Sequence, residues 1–261
     1  MPEPLTLSSK VVLFGIPVDN LTMDETVRRV EKAVSEKKPL HHIAVNAGKI
    51  VAMQNNPSLR ADVLSADIIN ADGMAVVWAS RLLGKPLKER VAGIDLMHAL
   101  LDLAARKHFK VYLFGATEEV VKRTVKKIED LYGSHIIAGY RNGYFTDAEA
   151  SAIARDIASS GADMLFVAIS SPKKERFLNA HKKILSKVPF VMGVGGSFDV
   201  LAGKVKRAPR WMQRWGLEWF YRLIQEPRRM WRRYLIGNAR FLNLLWKEWR
   251  QTRNRGRGNN R

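Results

Sequence analysis

The chain has 261 residues, 46% hydrophobic and 26% charged, the make-up of a folded globular protein with enough apolar surface for a sizeable core. It contains no cysteine, which excludes disulfide frameworks, thiolate metal sites and cysteine nucleophiles together. The formal charge of +19 sits largely at one end: residues 1–203 carry a net +5, and residues 204–261 carry a net +14 with six of the seven tryptophans.

Met1–Lys10 lacks the charged-then-apolar order of a signal peptide, and no window offers about 18 uninterrupted apolar residues. Neither a secretory leader nor a membrane-spanning helix is therefore expected. The composition shift near Lys204 divides a nearly neutral body from a basic, aromatic appendage.

Along the body, Val11–Val18 is an apolar, β-branched run that predicts a first strand. Thr22-Met-Asp-Glu25 has capping-box spacing and opens a helix to about Ser35. Further short strands are predicted at His41–Asn46, Asp67–Asn70, Lys110–Gly115, His135–Ala138, Met164–Ile169 and Pro189–Val194. Helical patterns fall between them at Ile94–Arg106, Glu118–Leu131, Asp147–Ser159 and Lys173–Ser186. This alternation predicts an α/β fold with a largely parallel sheet covered on both faces. Ligands of such folds bind beyond the C-terminal strand ends, which directs attention to the residues just after each strand.

Those positions hold Asn46, Asp72-Gly73, Phe114-Gly-Ala-Thr117, Ser170-Ser-Pro-Lys-Lys-Glu175 and Gly193-Val-Gly-Gly-Ser-Phe-Asp199. Glycines, hydroxyls and helix N-termini converging on one edge suit a phosphate-bearing ligand. No dinucleotide or P-loop fingerprint is present, because Gly193-Val-Gly-Gly lacks the GxGxxG spacing. Asp72 is either the cap of the following helix or a general base activating a hydroxyl. Arg90 is either a surface charge or a group that neutralises a phosphate. Asn46 either ends its strand or belongs to the same site. The histidines are scattered, and no cluster has metal-ligand spacing, so neither a metal nor a cofactor is expected.

In the appendage, Pro209 opens a helix expected to reach about Gln225, with Trp211, Trp215 and Trp219 recurring every four residues. Beyond Pro227, Arg228–Arg250 places Trp231, Leu235, Phe241, Leu242, Leu245 and Trp249 on one stripe. Tryptophan beside arginine suits a helix lying in an anionic membrane interface. Two other readings compete: ordinary packing of the stripe on the body, and binding of nucleic acid by the basic aromatic tail. The second lacks any nucleic-acid-binding signature, and no nucleic-acid partner is expected. A subunit interface in a homo-oligomer is a further way to cover the aromatic surface. Gln251–Arg261 is polar and basic and is expected to be disordered.

Several of these segments occur together in order: Asn70-Ala-Asp-Gly-Met-Ala-Val-Val77, Arg90-Val-Ala-Gly-Ile-Asp95, Ser171-Pro-Lys-Lys-Glu175, Gly193-Val-Gly-Gly-Ser-Phe-Asp199, Lys206-Arg-Ala-Pro209 and Gly216-Leu-Glu-Trp-Phe-Tyr-Arg222. The set, spanning roughly Val11 to Arg233, resembles the WecG/TagA/CpsF glycosyltransferases of bacterial surface-polysaccharide synthesis. The resemblance implies inverting transfer of a sugar from a UDP-sugar to a polyprenyl-diphosphate-linked saccharide, without a required metal, by a peripheral protein on the cytoplasmic face of the bacterial inner membrane. It also implies a Rossmann-like body over residues 1–203 and, over residues 204–250, a membrane-associating appendage that completes the active site.

Carried over by motif, Asp72 corresponds to the family's catalytic base, with Asn46 and Arg90 beside it. Tyr144, Lys174, Gly195, Gly196 and Asp199 fall at donor-binding positions. Arg222, Arg229 and Arg232 match appendage arginines that reach the phosphates of donor or lipid acceptor; their spacing places them near one helical face if the helix continues through Pro227. The family commonly reads Pro-Lys-Gln-Glu where this chain has Pro172-Lys-Lys-Glu175, so Lys174 stands in place of a glutamine near the donor sugar. A cation there favours a uronate or binds the diphosphate, and a neutral hexose such as glucose is equally open. Ala44 replaces a threonine that some members have two residues before the asparagine.

Overall fold

The computed structural model describes residues 9–258, except for the side chains of Arg229, Arg233 and residues 255–258. The first apolar run is not one strand: β1 (Lys10–Leu13) and β2 (Ile16–Asp19) form an antiparallel hairpin outside the main sheet. Between them Phe14 and Gly15 have φ of 53° and 69°, a left-handed two-residue turn whose twist suits the flanking strands. Phe14 holds this conformation while burying its ring.

α1 (Met23–Ser35) starts at the expected capping box: Thr22 Oγ1 accepts the Glu25 N–H at 3.2 Å, and Glu25 Oε2 accepts the Thr22 N–H at 2.8 Å. There follow β3 (Leu40–Val45), α2 (Ala47–Asn55), α3 (Pro57–Leu64), β4 (Ile68–Ala71), α4 (Met74–Leu82), α5 (Gly93–Lys107), β5 (Val111–Gly115) and α6 (Glu118–Tyr132). The chain continues through β6 (Ile137–Arg141), α7 (Ala150–Ser159), β7 (Met164–Ala168), α8 (Lys173–Ala180), α9 (Lys182–Leu185), β8 (Phe190–Gly193) and α10 (Ser197–Leu201). The strand expected at His135 begins two residues later, because Ser134–Ile136 forms a 3-10 turn. The helix expected over Lys173–Ser186 divides at His181.

β3 to β8 form a six-stranded sheet in the order β4-β3-β8-β7-β5-β6, with every pairing parallel. This is the expected α/β architecture, and β5 and β7 are buried along their whole length as covered parallel strands should be. One layer of the core sits under α1, α5, α6 and α10, and another under α7, α8 and α9. A third joins the hairpin to α2, α3 and α4. Val45 lies beside Ala71, Val167 beside Gly193 and Gly115 beside Ala168, so the strand ends come level. A Cβ on Gly115 would stand 2.5 Å from the Ala168 backbone, and its φ is +133°, so only glycine permits this approach.

The appendage is helical but more broken than its periodicity predicts. Gly216, at φ +65°, separates α11 (Arg210–Arg214) from α12 (Glu218–Gln225). A Cβ there would stand 2.8 Å from the Trp78 ring and 3.0 Å from Met74 Cβ, so this glycine also lets the appendage close on α4. α12 stops before Pro227, α13 (Pro227–Trp231) passes into a π-helical turn over Arg232–Ile236, and α14 (Gly237–Gly258) follows. α14 thus continues through residues 251–258, a stretch whose polar composition reads as disorder in the sequence; residues 259–261 lie outside the described residues. α14 packs on α2, with Phe241 in the core and Leu244, Leu245 and Trp249 beside it. Trp211, Trp215, Trp231, Leu235, Leu242 and Trp246 remain exposed. The stripe is therefore shared between the core and solvent. Among the described residues, no helix is long and apolar enough to cross a membrane.

Candidate active site

The site forms where β3, β4, β7 and β8 end. Asn46 follows β3 and caps α2, its Oδ1 accepting the Lys49 N–H at 3.0 Å. Asp72 follows β4, and its N–H donates to the Val45 carbonyl at 2.8 Å, tying the two strand ends together. Asp72 does not cap α4: Gly73 holds that position with no side-chain bond. Its half-buried carboxyl faces the start of α5 instead, with Oδ2 3.8 Å from where a Gly93 Cβ would stand. Burial pushes this carboxyl up to about 6; Glu218 adds to the rise, while Arg90, Lys49 and the Gly93 N–H oppose it.

Around Asp72 lies an ionic cluster that draws on both body and appendage. Arg90 pairs with Glu218, the first residue of α12, and lies 3.7 Å from Asp95 of α5. Arg207, just ahead of the appendage helices, clasps Asp95 with two nitrogens at 2.6 and 2.7 Å. Such fork-to-carboxylate contacts fix geometry as well as charge. Arg222 of α12 reaches the loop after β8, one guanidinium nitrogen 2.7 Å from where a Gly196 Cβ would stand. Gly195 beside it has φ +55°, a conformation that favours glycine.

Under the crevice a second ionic group is buried. Lys49 Nζ lies 2.8 Å from Glu175 Oε1, and Lys174 Nζ lies 3.5 Å from the same oxygen. The Lys174 ammonium also fills the space a Gly193 Cβ would take, at 2.8 Å. Burial alone would raise the Glu175 carboxyl, but Lys49 and Lys174 outweigh it and hold it down to about 2.

The structure thus gathers Asn46, Asp72, Arg90, Lys174, Gly195, Gly196 and Arg222 along these strand ends. Asp199 sits half-buried in α10, where its carbonyl accepts the Lys204 and Val205 N–H groups. Tyr144 lies after the edge strand β6 and is 72% exposed; Gly143 packs against Gly115, Ala116 and Ile169, folding this loop back over β5 and β7. Arg232 is exposed and stands 5.2 Å from the Trp231 ring centroid, while the side chain of Arg229 lies outside the described residues. The expected common face for the three appendage arginines is corrected, since α12 ends at Gln225 and a new helix begins at Pro227. Lys49, Glu175, Asp95, Arg207 and Glu218 were not singled out from sequence. Four of them lie inside the ordered motifs, which is the signal that could have found them.

A carboxyl raised to about 6 and mostly ionised at neutral pH, in a crevice with arginines and glycine-rich turns, can take a proton from a hydroxyl beside a phosphate-bearing ligand. The family model described as "Glycosyl transferase WecG/TagA/CpsF family" matches residues 11–255. An N-acetylglucosaminyldiphosphoundecaprenol N-acetyl-beta-D-mannosaminyltransferase of Bacillus subtilis (strain 168) is 38% identical over 245 residues, covering 90% of this chain and 91% of the relative. A protein of the same name from Bacillus spizizenii (strain ATCC 23059 / NRRL B-14472 / W23) is 44% identical over 184 residues, 70% of each chain. The chain therefore belongs to the WecG/TagA/CpsF glycosyl transferase family.

Proposed function

We propose that this protein transfers a sugar from a UDP-sugar to a polyprenyl-diphosphate-linked saccharide, with inversion, in bacterial surface-glycan synthesis. The observation that carries the reading is the Asp72 carboxyl, raised to about 6 at the N-terminus of α5 beside Arg90. Asp72 takes the proton of the acceptor hydroxyl as its oxygen bonds to the anomeric carbon. The bond from that carbon to the UDP oxygen breaks on the opposite face, and UDP departs with the electron pair. Negative charge grows on the diphosphate, and preformed donors aimed at it stabilise the transition state. Arg222 over Gly196 and the N–H groups of the loop after β8 supply such donors, with Arg229 and Arg232 assigned to the same phosphates or those of the lipid. Asn46 orients the reacting sugar, while Tyr144 and Asp199 hold the nucleotide. The reaction needs no metal in this reading, because arginines carry the neutralising role.

The two relatives are named as N-acetylmannosaminyl transferases, which makes UDP-N-acetylmannosamine the first donor to test. Lys174 motivates testing UDP-glucuronate and UDP-glucose beside it, with Lys174→Gln showing whether the lysine sets the preference. The exposed tryptophans and the basic charge of the appendage suit an anionic bilayer, on the cytoplasmic face of the inner membrane where UDP-sugars are made.

UDP release is measured with each donor and a short-chain polyprenyl-diphosphate monosaccharide, with and without EDTA. Acceptor-dependent release with one donor, lost in Asp72→Asn, is the expected result; absence of both release and UDP binding would overturn the reading. Sedimentation with anionic liposomes, beside single-stranded DNA at matched salt, tests the appendage.

A further inference from the structure

We infer that Glu218, carried on the appendage, is a positioning residue for the transfer: it engages Arg90 and withholds that guanidinium from Asp72. The inference rests on the reading of Asp72 as the base. Five charged side chains meet here from five places in the chain. Asp72 follows β4, Arg90 lies in the loop before α5, Asp95 is in α5, Arg207 precedes α11 and Glu218 starts α12. Three are acids and two are bases, so with every group ionised the cluster carries one excess negative charge.

The pairing decides where that excess falls. Arg207 is committed to Asp95 by its two contacts at 2.6 and 2.7 Å. Arg90 is committed to Glu218 and approaches Asp95 only to 3.7 Å. Among the described residues, Asp72 makes no ion pair with any cation; its carboxyl lies against Gly93 at the start of α5. Lys49 faces it from α2, but its ammonium is bonded to Glu175. Asp72 is therefore the carboxyl of the cluster that most readily takes up a proton.

A base that gains a proton near neutrality is matched to abstracting one from a sugar hydroxyl. A guanidinium laid directly on it would weaken it by favouring its charged form. Since Glu218 belongs to α12, this arrangement exists only while the appendage is seated against the body. The appendage thus completes the site by setting the proton affinity of a residue in the body, in addition to offering arginines to phosphate.

The test follows the Asp72 carboxyl by carbon-13 NMR in full-length, Asp-labelled protein without substrate, using Asp72→Asn to assign the signal. The wild-type carboxyl should titrate near 6. In Glu218→Gln it should titrate lower by about one pH unit, and the acidic limb of kcat/KM should move down with it. Glu218→Asp, which keeps the charge, should restore both toward the wild-type values, and Glu218→Ala is a second neutral variant should Glu218→Gln not fold. An appendage unseated by these changes would hydrate Asp72 and lower its titration as well, so a lowered titration accompanied by lost liposome binding would overturn the inference, and one with liposome binding unchanged supports it. An unchanged Asp72 titration in the neutral variants overturns the inference whatever their activity. Wild-type turnover by Asp72→Asn would instead overturn the assignment of the base, a separate result.

Discussion

The ring of Phe241, in the last helix, meets that of Phe14, in the first hairpin turn, with centroids 5.4 Å apart and planes tilted by 58°. This pair joins the hairpin to the last helix and makes one face of the appendage part of the core of the body. The appendage's inner face is protein core, and its outer face is tryptophan and arginine. Phe241→Ala should therefore destabilise the fold by about 3 kcal/mol, in the range for deleting a buried aromatic ring. Urea unfolding followed by tryptophan fluorescence reads the loss, and an unchanged midpoint would show that α14 is not held by this contact.

The base proposed at Asp72 implies a pH dependence of one sign. With its carboxyl raised to about 6, the base is ionised above that pH and protonated below it, so kcat/KM should fall tenfold per unit on the acid side. Asp72→Asn should lower turnover roughly 10²- to 10⁴-fold, the usual contribution of a general base, while leaving UDP affinity nearly unchanged. Titration calorimetry with UDP separates that outcome from a misfolded site.

Lys49 and Glu175 make a different kind of prediction. Glu175 keeps Lys174 at 3.5 Å when Lys49 is removed, so Lys49→Met should cost less than the roughly 3 kcal/mol of breaking an isolated buried pair, whereas Glu175→Leu, which takes the carboxylate from two buried ammonium groups, should reach it. The double variant Lys49→Met with Glu175→Leu should be more stable than Glu175→Leu alone, because it removes one of the two ammonium groups that Glu175 serves. Denaturant midpoints of the three proteins test the coupling.

The adjacent histidines of β3 bear on stability in acid. Burial holds both His41 and His42 down at about 4, against an ordinary value of 6.5. Between these values the unfolded chain binds protons that the native state refuses. Stability is full above about 6.5, is lost as the pH falls toward about 4, and changes no further from this source below that. Asp72, with its raised value, opposes part of the trend, so the slope is best measured in Asp72→Asn. His42→Gln in that background should flatten it, and an unaltered slope would show that His42 is not responsible.

The sheet was legible because buried parallel strands leave short apolar runs between long amphipathic helices, as in Lys110–Gly115 followed by Glu118–Leu131. The hairpin was hidden because Phe14-Gly15 lacks the Asn-Gly or Asp-Gly signature, and a β-branched run spanning the turn looks continuous. α2 and α3 were missed although Asn56-Pro57 offers a cap followed by a first-turn proline, and Asn56 Oδ1 does accept the Leu59 N–H at 2.9 Å. Within the site, Asp72, Asn46 and Arg90 could be named from motifs at strand ends. The Arg90–Glu218 pair could not, since 128 residues separate its members and only the folding back of the appendage brings them together.

α2 has only nine residues, yet Asn46 caps one end of it and α14 rests along its flank. It works as a short rigid lever. Any shift of α14 is passed through one turn or two of helix to the amide at the end of β3, so the seating of the last helix and the placement of Asn46 share a single mechanical part.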